Sequence, residues 1–358
     1  MSSRGFVIGL VVVAAMLTIG GCVIDGSGWG PQVKYERTVE LQHAMQAGST
    51  LTVSTASGSI DTRGQETDQV QAVATIQARA GTEEEARELA EGVVIRFEEA
   101  ADKLAIKADM PVQQRNRSIS ISYKITQPRQ TGIDGESASG SLRVMDLDGN
   151  VAAHTASGSV AAERIKGSTR LTSASGSVRG EQVSNGDVKL ESASGGVHLS
   201  DATGIGACEL HSSSGSATAR NVQAESIRMS SASGHVTLDE AQAKTMNLHS
   251  SSGGVKAESI VCSRLNAESS SGGVSAAFSR AAPPDVVADM TSGSGSVRVV
   301  LPPGFAGWVD LSTTSGSLDT DLPITLKGSI SKRRVSGSVG QGSGRLTARA
   351  VSGSVRVR

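Results

Sequence analysis

The dipeptide Ser-Gly returns along this chain at an almost fixed interval. Its glycines fall at Gly140, Gly158, Gly176, Gly195, Gly215, Gly234, Gly253 and Gly272, spaced by 18, 18, 19, 20, 19, 19 and 19 residues. It continues less regularly at Gly295, Gly316, Gly337 and Gly353. Twelve copies at such a period predict a solenoid, in which one winding cannot bury its apolar side alone and must stack on its neighbours.

With each glycine as position zero, the columns sort into inside and outside. Position −5 holds Ala153, Leu171, Leu190, Leu210, Met229, Leu248 and Ala267, and position +2 holds Leu142, Val160, Val178, Val197, Ala217, Val236, Val255 and Val274. Positions −7 and +7 are apolar as well, and position −3 is always Ser or Thr over these coils. Neighbouring columns drift among Arg, His, Lys, Thr and Glu, so they face solvent. A strand keeps one face only over even offsets. The odd steps from −3 to +2, from +4 to +7, and from +7 to the next −7 therefore predict three short strands per coil. Glycine at zero suits a corner that needs positive φ or close backbone approach, and the flanking serines can satisfy corner backbone groups.

Composition removes the rivals. Aromatic residues make up 2% of 358 residues, too few for a large aromatic core, and Gly (42 residues) follows no collagen-like three-residue period. A formal charge of −1 supplies no field for nucleic acid. The expected fold is all-β: a right-handed parallel β-helix or solenoid of 18–20-residue coils, with a small helix-bearing N-terminal excursion. A flattened two-sheet coil is the alternative cross-section.

The N-terminus gives an address. Arg4 precedes the apolar run Phe6 to Ile19, which closes on Ile19-Gly20-Gly21-Cys22. This resembles the lipobox of bacterial lipoprotein signal peptides: small residues before the cleavage point, then a thiol to carry the lipid. Residues 1–21 are expected to be the signal peptide, Cys22 the lipidated residue (diacylglycerol, with palmitate), and 22–34 the tether. Val23 is not the Asp that retains many lipoproteins at an inner membrane, which points to the outer membrane if the cell is Gram-negative.

Residues 35–131 are read as a first coil, with Leu51, Val53, Thr55, Gly58 and Ile60 on template, plus an excursion that covers the open edge of the solenoid. Gln69 to Ala80, Leu104 to Met110 and Ser118 to Ile125 read as strands, and Thr82 and Glu85 have capping-box spacing for a helix ending near Glu91. Residues 132–358 are the solenoid proper. Its last stretch, from Leu322, contains no acid but holds Lys327, Lys332, Arg333, Arg334, Arg345, Arg349, Arg356 and Arg358. As a terminal coil this would either protect an open edge or form a basic tip that meets anionic polymers of an envelope.

These features together resemble the adhesin-like family DUF4097: the lipobox, the helix-bearing lead-in, the Ser-Ala-Ser-Gly-Ser-Val coil at Ser173 to Val178 and the similar Ser192 to Val197, then Leu322-Pro323-Ile324, Val339-Gly340-Gln341-Gly342-Ser343-Gly344 and the final Val351-Ser352-Gly353-Ser354-Val355. The resemblance covers about residues 35 to 358. It implies a β-solenoid at the cell envelope and supplies no catalytic residues.

Chemistry is sparse. His154, His211 and His249 share the −4 column, but the nearest two are two coils or ~10 Å apart, too far to share a metal directly. Asp146-Leu147-Asp148-Gly149-Asn150 lacks calcium-loop spacing and reads as a turn. Ser329-Ile330-Ser331-Lys332 matches Ser-x-x-Lys by spacing alone. Cys208 and Cys262 fall three coils or ~14 Å apart, beyond disulfide reach. No cofactor, metal or catalytic residue is expected. The function expected is a lipid-anchored envelope adhesin or structural rod, with envelope polysaccharide, another anionic polymer or a membrane protein as partner. Alternatives are an accessory of envelope-stress signalling and, more remotely, a β-helix enzyme acting on polysaccharide.

Overall fold

The computed structural model describes residues 32–100, 102–111, 117–326 and 331–358. The signal peptide, Cys22, most of the tether, Lys327, Ser329 and Ile330 lie outside the described residues. The chain forms two compact units, one ending at Gly167 and one spanning Ser168–Arg358. Among the described residues no helix is long and apolar enough to cross a membrane.

In the first unit two strand ladders face each other. One runs Val33–Ala44, Gln69–Ala80, Ser118–Pro128, Ile60–Gln65, Leu142–Leu147 and Val160–Lys166; its first two pairings are antiparallel and the rest parallel. The other runs Val94–Ala100, Lys103–Asp109, Thr50–Ser57, Gly132–Ser139 and Val151–Thr155, antiparallel only at its first pairing. Leu51, Val53, Ile106 and Ile133 from one ladder and Ile60, Tyr123, Ile125 and Leu142 from the other are buried. The helix Glu83–Glu91 starts on the Thr82 cap, whose hydroxyl accepts from Glu85 N–H (3.3 Å), and it buries Ala86, Leu89 and Ala90. It packs on Val33–Ala44 and Gln69–Ala80.

The second unit is the regular solenoid, and its coils are named here by their corner glycine. Register is residue for residue: Leu171, Leu190, Leu210, Met229, Leu248, Ala267 and Met290 stack in one column, and Val178, Val197, Ala217, Val236, Val255, Val274 and Val297 in another. All are buried. At about 1.5–3 kcal/mol for each buried aliphatic side chain, the stacking of columns, and not any single coil, holds the unit together.

The structure corrects or narrows four sequence expectations. First, most coils have two strands, such as Val236–Gln242 and Thr245–Ser250, and three have a single bent strand, such as Val197–Ser212. The parity break between +4 and +7 is a one-residue kink. At +6 stand Gln182, Asp201, Asn221, Glu240 and Ser259, each with φ between 52° and 59°; Asp146 and Arg164 do the same in the first unit. A single left-handed residue flips the side-chain alternation without ending the ladder.

Second, the corner glycines owe their identity to proximity. A Cβ on Gly195, Gly215, Gly234, Gly253 or Gly272 would overlap the carbonyl of the glycine one coil earlier, and none of these five has a positive φ. Gly140 and Gly158 are held the same way in the first unit, against Gly58 and Gly140.

Third, the hydroxyl that recurs as the corner clamp is the one at −3; of the serines beside the glycine, Ser216, Ser296 and Ser354 accept an N–H from an adjoining corner. Ser192, Ser212, Ser231, Ser250, Ser269 and Ser292 each donate to the corner glycine carbonyl of the preceding coil at 2.8–2.9 Å. Each also accepts from the glycine N–H of its own corner, again at 2.8–2.9 Å. One buried hydroxyl thus clamps two coils.

Fourth, the last coils are out of sequence order. Gly344–Ala350 pairs with Val287–Ser292 on one side and Gly307–Thr313 on the other, and Val355–Val357 lies between Val297–Val300 and Leu318–Thr320. The Gly353 coil therefore sits between the Gly295 and Gly316 coils. Gly337 is no corner: it lies within Arg334–Val339, antiparallel to Gly307–Thr313 and opposite Val309.

Candidate functional site

The insertion of the Gly353 coil decides where the C-terminal cations stand. Arg356 lies between Arg298 on one neighbouring strand and Asp319 on the other, and its Nε meets Asp319 Oδ2 at 2.8 Å. Arg358 reaches Asp321 at 3.4 Å. Arg334 and Arg349, from strands on opposite sides of Gly307–Thr313, share Asp310 at 3.2 and 3.5 Å. Four of the seven described cations of the basic stretch, which leaves out Lys327, are thus paired with carboxylates from the coil just upstream in sequence. Lys332, Arg333 and Arg345 are exposed and make no ion pair among the described residues. Lys332 and Arg333 occupy the tight turn closed by Ser331 and Arg334, whose backbones hydrogen-bond at 3.1 and 3.3 Å. Arg345 lies in register between Val287 and Trp308.

The histidines stand where their column predicts. His211 Nδ1 lies 2.8 Å from Ser230 Oγ on the next coil, and His249 lies 3.7 Å from Glu268. No group of three or more His, Cys, Asp or Glu residues suited to a metal ion occurs among the described residues. Cys208 and Cys262 are free and buried, and burial pushes both thiols up to about 12, far from thiolate reactivity. Tyr123, buried in the first unit, is likewise pushed up to about 12.

Asp146 is more than a turn residue. It ends the strand Leu142–Leu147 in a left-handed conformation (φ 61°) and is buried. Arg164 Nε meets Oδ1 at 2.5 Å, Arg63 Nε meets Oδ2 at 2.9 Å, and Arg129 Nη2 approaches Oδ1 at 4.0 Å. The Arg164 hydrogen bond, aided by Arg63, holds the carboxyl below the usual carboxylate range against its partial burial. A carboxylate already shared by three guanidiniums is a structural hub, and the positive charge around it opposes a calcium ion.

Sequence reasoning identified the cations but not Asp310, Asp319 and Asp321 as their partners. It also passed over Arg298, which makes no ion pair among the described residues. The only signal for the Asp partners was the charge order itself: Asp319 and Asp321 follow Gly316 at the same distances as Arg356 and Arg358 follow Gly353, whereas Asp310 has no arginine at its matching position.

A sequence profile described as Toastrack DUF4097 matches residues 49–208 and again 205–358. No curated protein matches the chain. Similar solved structures include one from Parabacteroides distasonis named as a candidate adhesin, at 12% identity and TM-score 0.34, covering 90% of this chain and 97% of that one. A second protein of Parabacteroides distasonis, named as a candidate lipid binding protein, has 12% identity and TM-score 0.31, with 94% and 99% covered. A candidate adhesin of Bacteroides fragilis has 11% identity and TM-score 0.23, with 90% and 97% covered.

Proposed function

The chain belongs to the Toastrack DUF4097 family, and on that premise we propose that it is a non-catalytic envelope protein, held to a membrane by lipid on Cys22, whose stacked coils act as an adhesive or structural surface. The observation that carries the reading is the stacking of the second unit in register, residue for residue apart from local shifts such as those at Gly186/Val188 and Ala202/Ile205. Register turns every outward column into a row of side chains about 4.8 Å apart. A ligand with its own repeat meets such a row at several points at once, and weak contacts then sum to useful avidity. Of the C-terminal cations, Lys332, Arg333 and Arg345 are exposed and make no ion pair among the described residues, which leaves them able to meet an anionic polymer. If the cell is Gram-negative, the reading places the protein at the outer membrane.

Cell fractionation with a palmitate analogue tests the anchor: label and membrane association should both be lost in Cys22→Ser. An attachment assay on anionic polymer tests the surface. A Lys332→Gln, Arg333→Gln, Arg345→Gln variant should reduce attachment with unchanged melting; attachment equal to wild type in the deletion strain would remove the adhesive role.

A further inference from the structure

The corner position +1 carries a second hydrogen-bond ladder in the second unit. His235 N–H donates to Ser216 Oγ (3.2 Å), Gly254 N–H to His235 Nδ1 (3.0 Å), Ser354 N–H to Ser296 Oγ (3.3 Å), and Ser317 N–H to Ser354 Oγ (3.4 Å). At these four junctions the +1 N–H is met by the +1 side chain of the adjoining coil; the N–H groups of Gly196 and Ser216 have no such bond among the described residues. The ladder is also absent at two successive coils that have no +1 side chain to offer. Gly254 and Gly273 stand at +1 in consecutive coils, and the N–H groups that would have used their side chains, those of Gly273 and Ser296, donate to no atom among the described residues. A Cβ on Gly254 would lie 3.2 Å from Gly273 O and 4.0 Å from its N, and one on Gly273 would lie 3.3 Å from Ser296 O and 4.0 Å from its N; both carbonyls already accept a bond, from Val255 and Val274 N–H.

What the two glycines vacate is a trough of about 390 Å³, walled by His235, Thr237, Lys256, Ser275 and Arg298. No carboxylate lines it. Lys256 is paired with Glu258 at 2.8 Å, and the neighbouring Arg356 with Asp319, which leaves Arg298 as the uncommitted charge. Two adjacent solvent-facing backbone donors beside a guanidinium suit an oxyanion, because an anion that displaces water there makes charge-assisted bonds to both. The trough crosses four coils, from His235 to Ser296, or roughly 14 Å. Its remaining polar groups are hydroxyls and an imidazole, which suit a polyol more than a bare ion.

The geometry points to a binding site for an acidic saccharide, with its carboxylate or sulfate held by the Gly273 and Ser296 N–H groups and by Arg298, and its hydroxyls by Thr237, Ser275 and His235. The site does not depend on Lys332, Arg333 or Arg345.

The test is an amide NMR titration of the full-length chain with a uronic-acid oligosaccharide, its neutral counterpart and inorganic phosphate. The uronate should shift the Gly273 and Ser296 amides saturably, and more tightly than either control. Arg298→Gln should weaken binding about tenfold. The double variant Gly254→Ser, Gly273→Ser restores the missing side chains and should abolish the shifts while melting as wild type; if it does not fold, Arg298→Gln alone decides. Equal affinity for the neutral sugar or for phosphate, shifts that survive in Arg298→Gln, or shifts lost in a Lys332→Gln, Arg333→Gln control would each overturn the assignment.

Discussion

Two coil interfaces in the second unit use the same backbone ladder and differ by one oxygen atom. Between the Gly234 and Gly253 coils, Ser250 donates to the Gly234 carbonyl and accepts from the Gly253 N–H, at 2.9 Å each. Between the Gly295 and Gly353 coils, the −3 position is Ala350, buried in register with Ser292, and neither bond exists. The clamp resumes on the other side of the Gly353 coil, where Thr313 donates to the Gly353 carbonyl at 2.7 Å and accepts from the Gly316 N–H at 3.0 Å. The ion pairs follow the same asymmetry: Arg349, Arg356 and Arg358 all reach toward the Gly316 coil, while the counterpart of Arg356 on the Gly295 side is Arg298. The repeat signature is therefore a bonding device between coils. Where the chain departs from sequence order, charge supplies the identity that the repeat cannot, because like charges side by side disfavour one neighbour and opposite charges favour the other.

The largest effect should come from the element both interfaces keep. Gly215→Val would drive its Cβ into the Gly195 carbonyl, and backbone on both sides leaves little room to yield. A loss of more than about 3 kcal/mol in urea melting is expected; a near-wild-type midpoint would mean that coil spacing is not set by the corner glycines. Next is the clamp. Ser250→Ala turns the regular interface into the Ala350 type and strands a buried N–H and C=O, at about 1–3 kcal/mol. Ala350→Ser makes the reverse change. Its register partner Ser292 already holds a hydroxyl in the equivalent place, so the new serine should find both bonds. A gain of about 0.5–1.5 kcal/mol is expected. If Ser250→Ala is neutral and Ala350→Ser stabilises nothing, the clamp is decoration and the backbone ladder alone sets coil cohesion.

Much of this was legible in the sequence, for a physical reason. Columns such as Leu171, Leu190 and Leu210 face only the interior, so burial constrains each residue separately and the pattern shows without knowledge of partners. The helix cap at Thr82 was legible because capping is local. Over the eight regular coils position −3 showed as Ser or Thr, but its function lies in a contact fifteen or more residues away that no local rule states. The order of the last coils was hidden because Ser336-Gly337-Ser338 has the composition of a corner while lying within an antiparallel strand. The aspartate partners of the C-terminal arginines were hidden with it. The trough was the least legible. The Gly253-Gly254 and Gly272-Gly273 doublets are plain to see, but their meaning depends on N–H groups that the missing side chains would have satisfied in the next coil.

The smallest effect tests the charge half of the comparison. Arg356 and Asp319 are each about half exposed, at 52% and 48%, so water screens their attraction. Arg356→Gln should lower stability by no more than about 1 kcal/mol at low salt, and by nearly nothing at 1 M salt, where the Debye length falls to about 3 Å. Removing the charge also removes the repulsion with Arg298, which offsets part of the loss. Asp319→Arg separates these contributions, since it places arginine on three successive coils with no carboxylate in the column. A deficit larger than that of Arg356→Gln, and erased by salt, would show that charge steers the Gly353 coil to its place. A deficit of equal size in both salts would move that role to the shape of the slot itself.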